Sequence, residues 1–129
     1  MENIYDKLGG DDFVRRLSDQ FYQNMDKLPE VKELRDMHPT PLKSSADKLY
    51  MFLSGWLGGP QLFEKQYGHP RLRARHMPFS IGKKERDQWM LCMVKAFEDL
   101  KVEEPYRSEL LHALLRLADH MRNKTEIED

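Results

Sequence analysis

The residues of this chain best suited to chemistry lie in the stretch GHPRLRARHMPFSIG, from Gly68 to Gly82. It brings His69, His76, Arg71, Arg73 and Arg75 together between and around Pro70 and Pro78. Proline lacks a backbone N–H and disfavours helical geometry at the residue before it, so the two prolines fence off a piece too short for an ordinary helix. His76 sits inside the fence, with Arg75 before it and Met77 after it. Neutral imidazole is the commonest metal ligand among side chains, which makes His76 a candidate ligand for an unspecified metal.

The other histidines offer less. His112 and His120 are eight apart on one helix and point about 80° apart, as solvated surface residues do. His69, between Gly68 and Pro70, reads as a turn residue. No pair has zinc-finger or i, i+4 spacing, and Cys92 is the one cysteine, so a Cys-rich zinc site and an internal disulfide lack their ligands. The basic run Lys65, Arg71, Arg73, Arg75, Lys83, Lys84 and Arg86 has three readings. It binds phosphate, or it is a solvated face balanced by Glu64, Glu85 and Asp87, or it neutralises the carboxylates of an anionic cofactor.

Tyr22 and Trp89 form a second candidate group. Each carries a polar handle on an otherwise apolar helical face, and the indole N–H can only donate. Donors aimed into an apolar interior need an acceptor, either a backbone carbonyl or a bound molecule.

Helices must position these groups. After a first turn from Asn3 to Leu8, Gly9-Gly10 breaks the chain, and Asp11 or Asp12 is placed to N-cap a helix to about Lys27. Val14, Leu17, Phe21 and Met25 give it one apolar face. A short segment spans roughly Glu30 to Met37, before His38-Pro39-Thr40-Pro41. A longer helix runs from about Leu42 to Leu57 and stops at Gly58-Gly59-Pro60. Gln61 to Ile81 is irregular. Periodicity returns from Lys83 to Leu100, with Trp89, Met93, Ala96 and Phe97 on one stripe, and again from Glu104 to Met121. Phe21, Phe52, Phe97 and Trp56 read as core. The polar tail from Arg122 to Asp129 is expected to fray. With no alternating strand, the fold class is all-α, in a single domain over residues 1–129.

Composition sets outer bounds. The 129 residues are 40% hydrophobic and 33% charged, with a formal charge of −1, against the basic excess of a dedicated nucleic-acid binder. MENIYDKL lacks the basic and apolar segments of a signal peptide, and no apolar run approaches a membrane span. A cytoplasmic chain without nucleic-acid or membrane partners is expected.

Several motifs point further. Gly9-Gly10, Phe21-Tyr22, MFLSGWLGGP (Met51 to Pro60), GHPRLRARHMPFSIG and ERDQW (Glu85 to Trp89), in that order, resemble the truncated haemoglobins, and among them group II. The resemblance covers nearly the whole chain. It implies a truncated globin fold, a two-over-two helical sandwich with haem b between the pairs. Those pairs would be Asp12–Lys27 with Leu42–Leu57, and Lys83–Leu100 with Glu104–Met121.

His76 matches the family's proximal iron ligand, a neutral imidazole whose other N–H is held by an oxygen acceptor. Tyr22 and Trp89 match its distal tyrosine and tryptophan, and His38 a third distal position. Ser45 aligns with the position where many globins keep a distal histidine. Leu49 would cap the pocket and Phe52 press on the haem edge. Lys48 and Arg75 are candidate partners of the haem propionates, with Met77 and Phe79 packing nearby.

The function so implied is binding of oxygen, nitric oxide or carbon monoxide, for oxygen storage or transport or for handling reactive oxygen and nitrogen species. Tyr22, Trp89 and His38 would hydrogen-bond the bound ligand. The alternatives are a nitric oxide dioxygenase or peroxidase-like enzyme, served by an unidentified electron donor, and a helical binding module without cofactor.

Overall fold

Gly9 sets the first corner. Its φ of 120° is a conformation that side chains with a Cβ rarely adopt, and it lets α1 (Ile4–Leu8) end and α2 (Gly10–Lys27) start at once. The computed structural model describes residues 3–124, and every regular element in them is helical. Gly9 itself is the N-cap of α2. Asp11 and Asp12, expected as caps, fall instead in the first helical turn, where a carboxylate still suits the positive end of the helix dipole.

The predicted apolar face of α2 is the centre of the core. Val14, Leu17, Phe21 and Met25 are all buried, and Phe13 joins them. Leu53 from α4 (Lys43–Trp56), Met93 and Phe97 from α7 (Lys83–Asp99), and Leu114 from α8 (Tyr106–His120) complete it. Helix α2 lies against α4, α7 lies against α8, and α2 also packs on α7. This is the expected pair-on-pair arrangement. Among the described residues no helix is long and apolar enough to cross a membrane.

The connections differ more from expectation. The segment after α2 divides into a tight 3₁₀ turn, Pro29–Val31, and α3 (Lys32–Asp36). Proline at the head of that turn supplies the fixed φ of a helical start. The region read as irregular contains α5 (Leu62–Tyr67) and then α6 (Leu72–His76). Six residues with one buried side chain, Phe63, are too few for α5 to show a helical period. Phe52 and Trp56, read as core, are half-buried. Phe52 borders a cavity, and Trp56 is the last residue of α4, where the chain turns away.

The polar tail also behaves differently where it is described. Asn123 donates its backbone N–H to Ile81 O at 2.8 Å and accepts from Ile81 N at 2.9 Å. Arg122, Asn123 and Lys124 are half-buried rather than frayed. Residues 125–129 of the expected tail lie outside the described residues.

Candidate functional site

A cavity of about 620 Å³ opens among α4, α6, α7 and α8 and the segment after α3. His76 is the last residue of α6 and lines it. Its Nδ1 lies 2.6 Å from the carbonyl oxygen of Leu72, one turn back. A carbonyl can only accept, so Nδ1 carries the proton. With one proton on the ring, the lone pair is then on Nε2.

His38 lines the same cavity and repeats the pattern, with Nδ1 2.9 Å from Leu34 O. Burial lowers its pKa from the ordinary value of 6.5, outweighing the opposing effect of the Leu34 bond, and the charges of Arg35 and His76 lower it further. The ring is therefore neutral, and its Nε2 accepts rather than donates.

Tyr22 and Trp89 are brought together by Phe21. The Phe21 ring meets Tyr22 edge-on at 4.9 Å and Trp89 at 5.1 Å, and Tyr22 in turn meets the His38 ring at 5.8 Å. Phe21 is fully buried, so the two donors stand on a rigid support. Burial, reinforced by Cys92, holds the Tyr22 phenol far above its ordinary pKa. It stays a protonated donor. Neither Tyr22 Oη nor Trp89 Nε1 bonds to the protein among the described residues, although both side chains line the cavity.

Helix α4 supplies another wall. Ser45, Leu49 and Phe52 follow helical spacing, line the cavity and are half-buried. Lys48 is exposed at the same wall, its Nζ 5.7 Å from the centre of the Tyr67 ring. Arg75 lines the cavity too, but its guanidinium is bonded to the carbonyls of Pro70, Tyr67 and His69 and lies over Phe63. It clamps the turn before α6. His69 is a turn residue, its Nδ1 accepting from Arg71 N at 3.1 Å. Phe79 borders the cavity while 45% exposed. Met77, expected to pack there, does not line it and is 54% exposed. It caps the end of α6 with its backbone still helical, so its side chain points about 100° round the helix axis from His76.

Comparison with known proteins agrees with this geometry. The family model of the bacterial-like globins matches residues 3–123. The chain belongs to this globin family, as a group II truncated haemoglobin. It is 38% identical over 120 residues to the group 2 truncated hemoglobin YjbI of Bacillus subtilis, covering 93% of this chain and 89% of that one. Among solved structures it resembles the cold-adapted truncated hemoglobin of the Antarctic bacterium Pseudoalteromonas haloplanktis, with TM-score 0.92 and 45% identity, over 96% of this chain and all of the other. The group II 2-on-2 hemoglobin of Agrobacterium tumefaciens gives TM-score 0.93 and 40% identity, over 97% of each chain.

Truncated haemoglobins carry haem b, and the residues of this one fit it. Among the described residues no three His, Cys, Asp or Glu side chains converge as a metal cage. A lone imidazole lone pair suits iron whose in-plane positions a macrocycle already fills. The cavity volume is in the range of cofactor pockets, its walls are largely apolar, and the cations Lys48 and Arg75 lie along its lining, Arg75 already bonded to backbone carbonyls.

Four contributors to this haemoglobin's site escape sequence reasoning. The Leu72 carbonyl that selects the tautomer is one, although its position four residues before His76 is a usable signal. Arg86 reads as one of a basic run, yet it lines the cavity while bonded to Asp119 at 2.7 Å and to Asp87. Tyr67 and Phe63 come from α5, whose shortness hides it.

Proposed function

We propose that this truncated haemoglobin holds its haem through His76 Nε2 and retains a diatomic ligand such as oxygen with hydrogen bonds from Tyr22 and Trp89. The supporting observation is the pair of donors without protein partners lining the cavity that His76 also lines. Haem iron, when bound, supplies reversible coordination of the gas.

The protein's own groups do the rest. Leu72 O holds the His76 proton on Nδ1 and turns Nε2 into the ligating atom. Tyr22 Oη and Trp89 Nε1 donate to the outer, electron-rich atom of the gas. Each neutral hydrogen bond contributes about 0.5–1.5 kcal/mol. Two together slow ligand release by roughly five- to 150-fold. Slow release suits storage, or chemistry on a retained ligand, better than delivery.

His38 takes a different part from the one the family position implies. With its proton committed to Leu34, its Nε2 offers a lone pair and no hydrogen. It is an acceptor or a reserve sixth ligand, and the donor set reduces to Tyr22 and Trp89. Lys48 remains the freer of the two propionate candidates, since Arg75 is engaged by three carbonyls.

Oxygen dissociation rates of the wild type, Tyr22→Phe and Trp89→Phe test this reading. Each substitution should speed release by roughly two- to tenfold, the equivalent of one hydrogen bond. Unchanged rates in both would remove the donor assignment.

A further inference from the structure

We propose that Asn123, just beyond α8, is a positioning residue that works with Arg73 to clamp the segment carrying His76 and so sets the angle of its imidazole to the haem iron. This rests on the reading of His76 as the iron ligand.

The segment needs such a device because packing does not hold it. Helix α6 buries none of its residues, and Ala74, Met77, Pro78 and Ser80 are exposed. Polar contacts take over on both sides of His76. Before it, Arg73 Nη1 donates to His120 O at 2.6 Å and to Arg122 O at 2.8 Å. The last carbonyls of a helix have no partner within it and carry the negative end of its dipole, so a guanidinium is well placed there.

After it, Asn123 uses its backbone N–H and both polar atoms of its side-chain amide. Its backbone N–H donates to Ile81 O at 2.8 Å, and its Oδ1 accepts from Ile81 N at 2.9 Å. Its Nδ2 donates to Phe79 O at 2.7 Å and reaches His76 O at 3.4 Å. Phe79 N also donates to His76 O, at 3.0 Å. The turn directly following the ligand is thus tied to the end of α8. The imidazole is already fixed to its own helix through Leu72, so the pose of this backbone segment decides where Nε2 points.

The test is resonance Raman spectroscopy of the haem-loaded protein in its five-coordinate ferrous form, made by photolysis of the carbon monoxide complex. Asn123→Ala should shift and broaden the iron–histidine stretching band. It should also speed haem transfer to a scavenging apoglobin by roughly two- to tenfold, the equivalent of one neutral hydrogen bond. If Asn123→Ala does not accumulate as folded protein, Asn123→Asp carries the same expectation, since it keeps the acceptor for Ile81 N–H but sets a carboxylate oxygen against Phe79 O and His76 O in place of the donor.

A wild-type band in the folded, loaded variant would overturn the proposal. In a His76→Gly background supplied with imidazole, the ligand is no longer tethered to the segment. There Asn123→Ala should leave the iron–imidazole band in place, and an equal shift would reduce the effect to general loosening and also overturn the clamp. The parent reading fails separately: His76→Gly without imidazole would then keep the wild-type iron–histidine band.

Discussion

His76 Nδ1 and the carbonyl oxygen of Leu72 stand 2.6 Å apart within one turn of α6, and this contact decides which nitrogen of the ring is available. The fence of Pro70 and Pro78 limits the helix, the helix end places the ring in the cavity, and the carbonyl selects its tautomer. Replacing His76 by Gly should therefore abolish the normal five-coordinate ferrous spectrum. Added imidazole should restore it, because the cavity and its other walls remain. Absorption spectra with and without imidazole check both halves.

The His38 ring is half-buried and neutral, and its pKa is displaced downward mainly by burial. In the unfolded chain the same ring takes a proton near 6.5, while the folded ring resists it. The unfolded state then binds more protons, so stability is lost as pH falls below about 6.5. Melting temperatures measured from about pH 8 to pH 5 should decline less for His38→Gln than for the wild type. Parallel curves would show that His38 is not the group responsible.

The lone pair on His38 Nε2 has a spectroscopic consequence as well. Without external ligand, the ferrous protein should show a six-coordinate fraction at neutral pH, which is lost only as the solution is taken below about pH 6.5 and the ring takes a proton. His38→Leu should remove that fraction. A wild-type spectrum that stays five-coordinate throughout would count against the ring as a reserve ligand.

Phe21 joins stability to the site, since it is fully buried and touches both Tyr22 and Trp89. Phe21→Ala should cost about 3–5 kcal/mol through the lost contacts and the cavity left behind. Phe21→Leu should keep the fold yet speed oxygen release, because the smaller side chain no longer braces the two donors. Denaturant melts and ligand-release rates separate the two effects.

Ser18 carries a misfit of another kind. It lies on α2 at 0% exposure, and its Oγ has no hydrogen-bond partner. A buried hydroxyl without a partner costs about 1–3 kcal/mol relative to one that is satisfied. Ser18→Ala should stabilise the protein by about 1 kcal/mol, raising the melting temperature by roughly 3 °C. A loss of stability would show that the hydroxyl is satisfied in solution.

Much of this was legible from residue types alone. Val14, Leu17, Phe21 and Met25 recur at helical spacing, and all four are buried. Helical periodicity is local, so it needs no knowledge of the partners across the core. The family motifs named the haem and the pair-on-pair fold in the same way. Helix α5 was not legible, because six residues cannot display a period of 3.6. Met77 was expected beside the cofactor from the family resemblance, but on a helical backbone it points about 100° away from its neighbour His76.

The sequence by itself determined the helices, the placing of His76 in a short proline-bounded segment, and the presence of Tyr22 and Trp89 as donors on apolar faces. Those features depend on residue type and on spacing within a few turns. Tertiary structure alone decided that Phe21 braces both donors, that Arg75 serves the turn before α6, and that Asn123 secures the turn after His76. The bonds of Asn123 to Ile81 and His76 span 42 and 47 residues. A polar residue in a charged C-terminal stretch carries no local mark of such partners, because its carbonyl and N–H acceptors and donors are set by how the helices close upon one another.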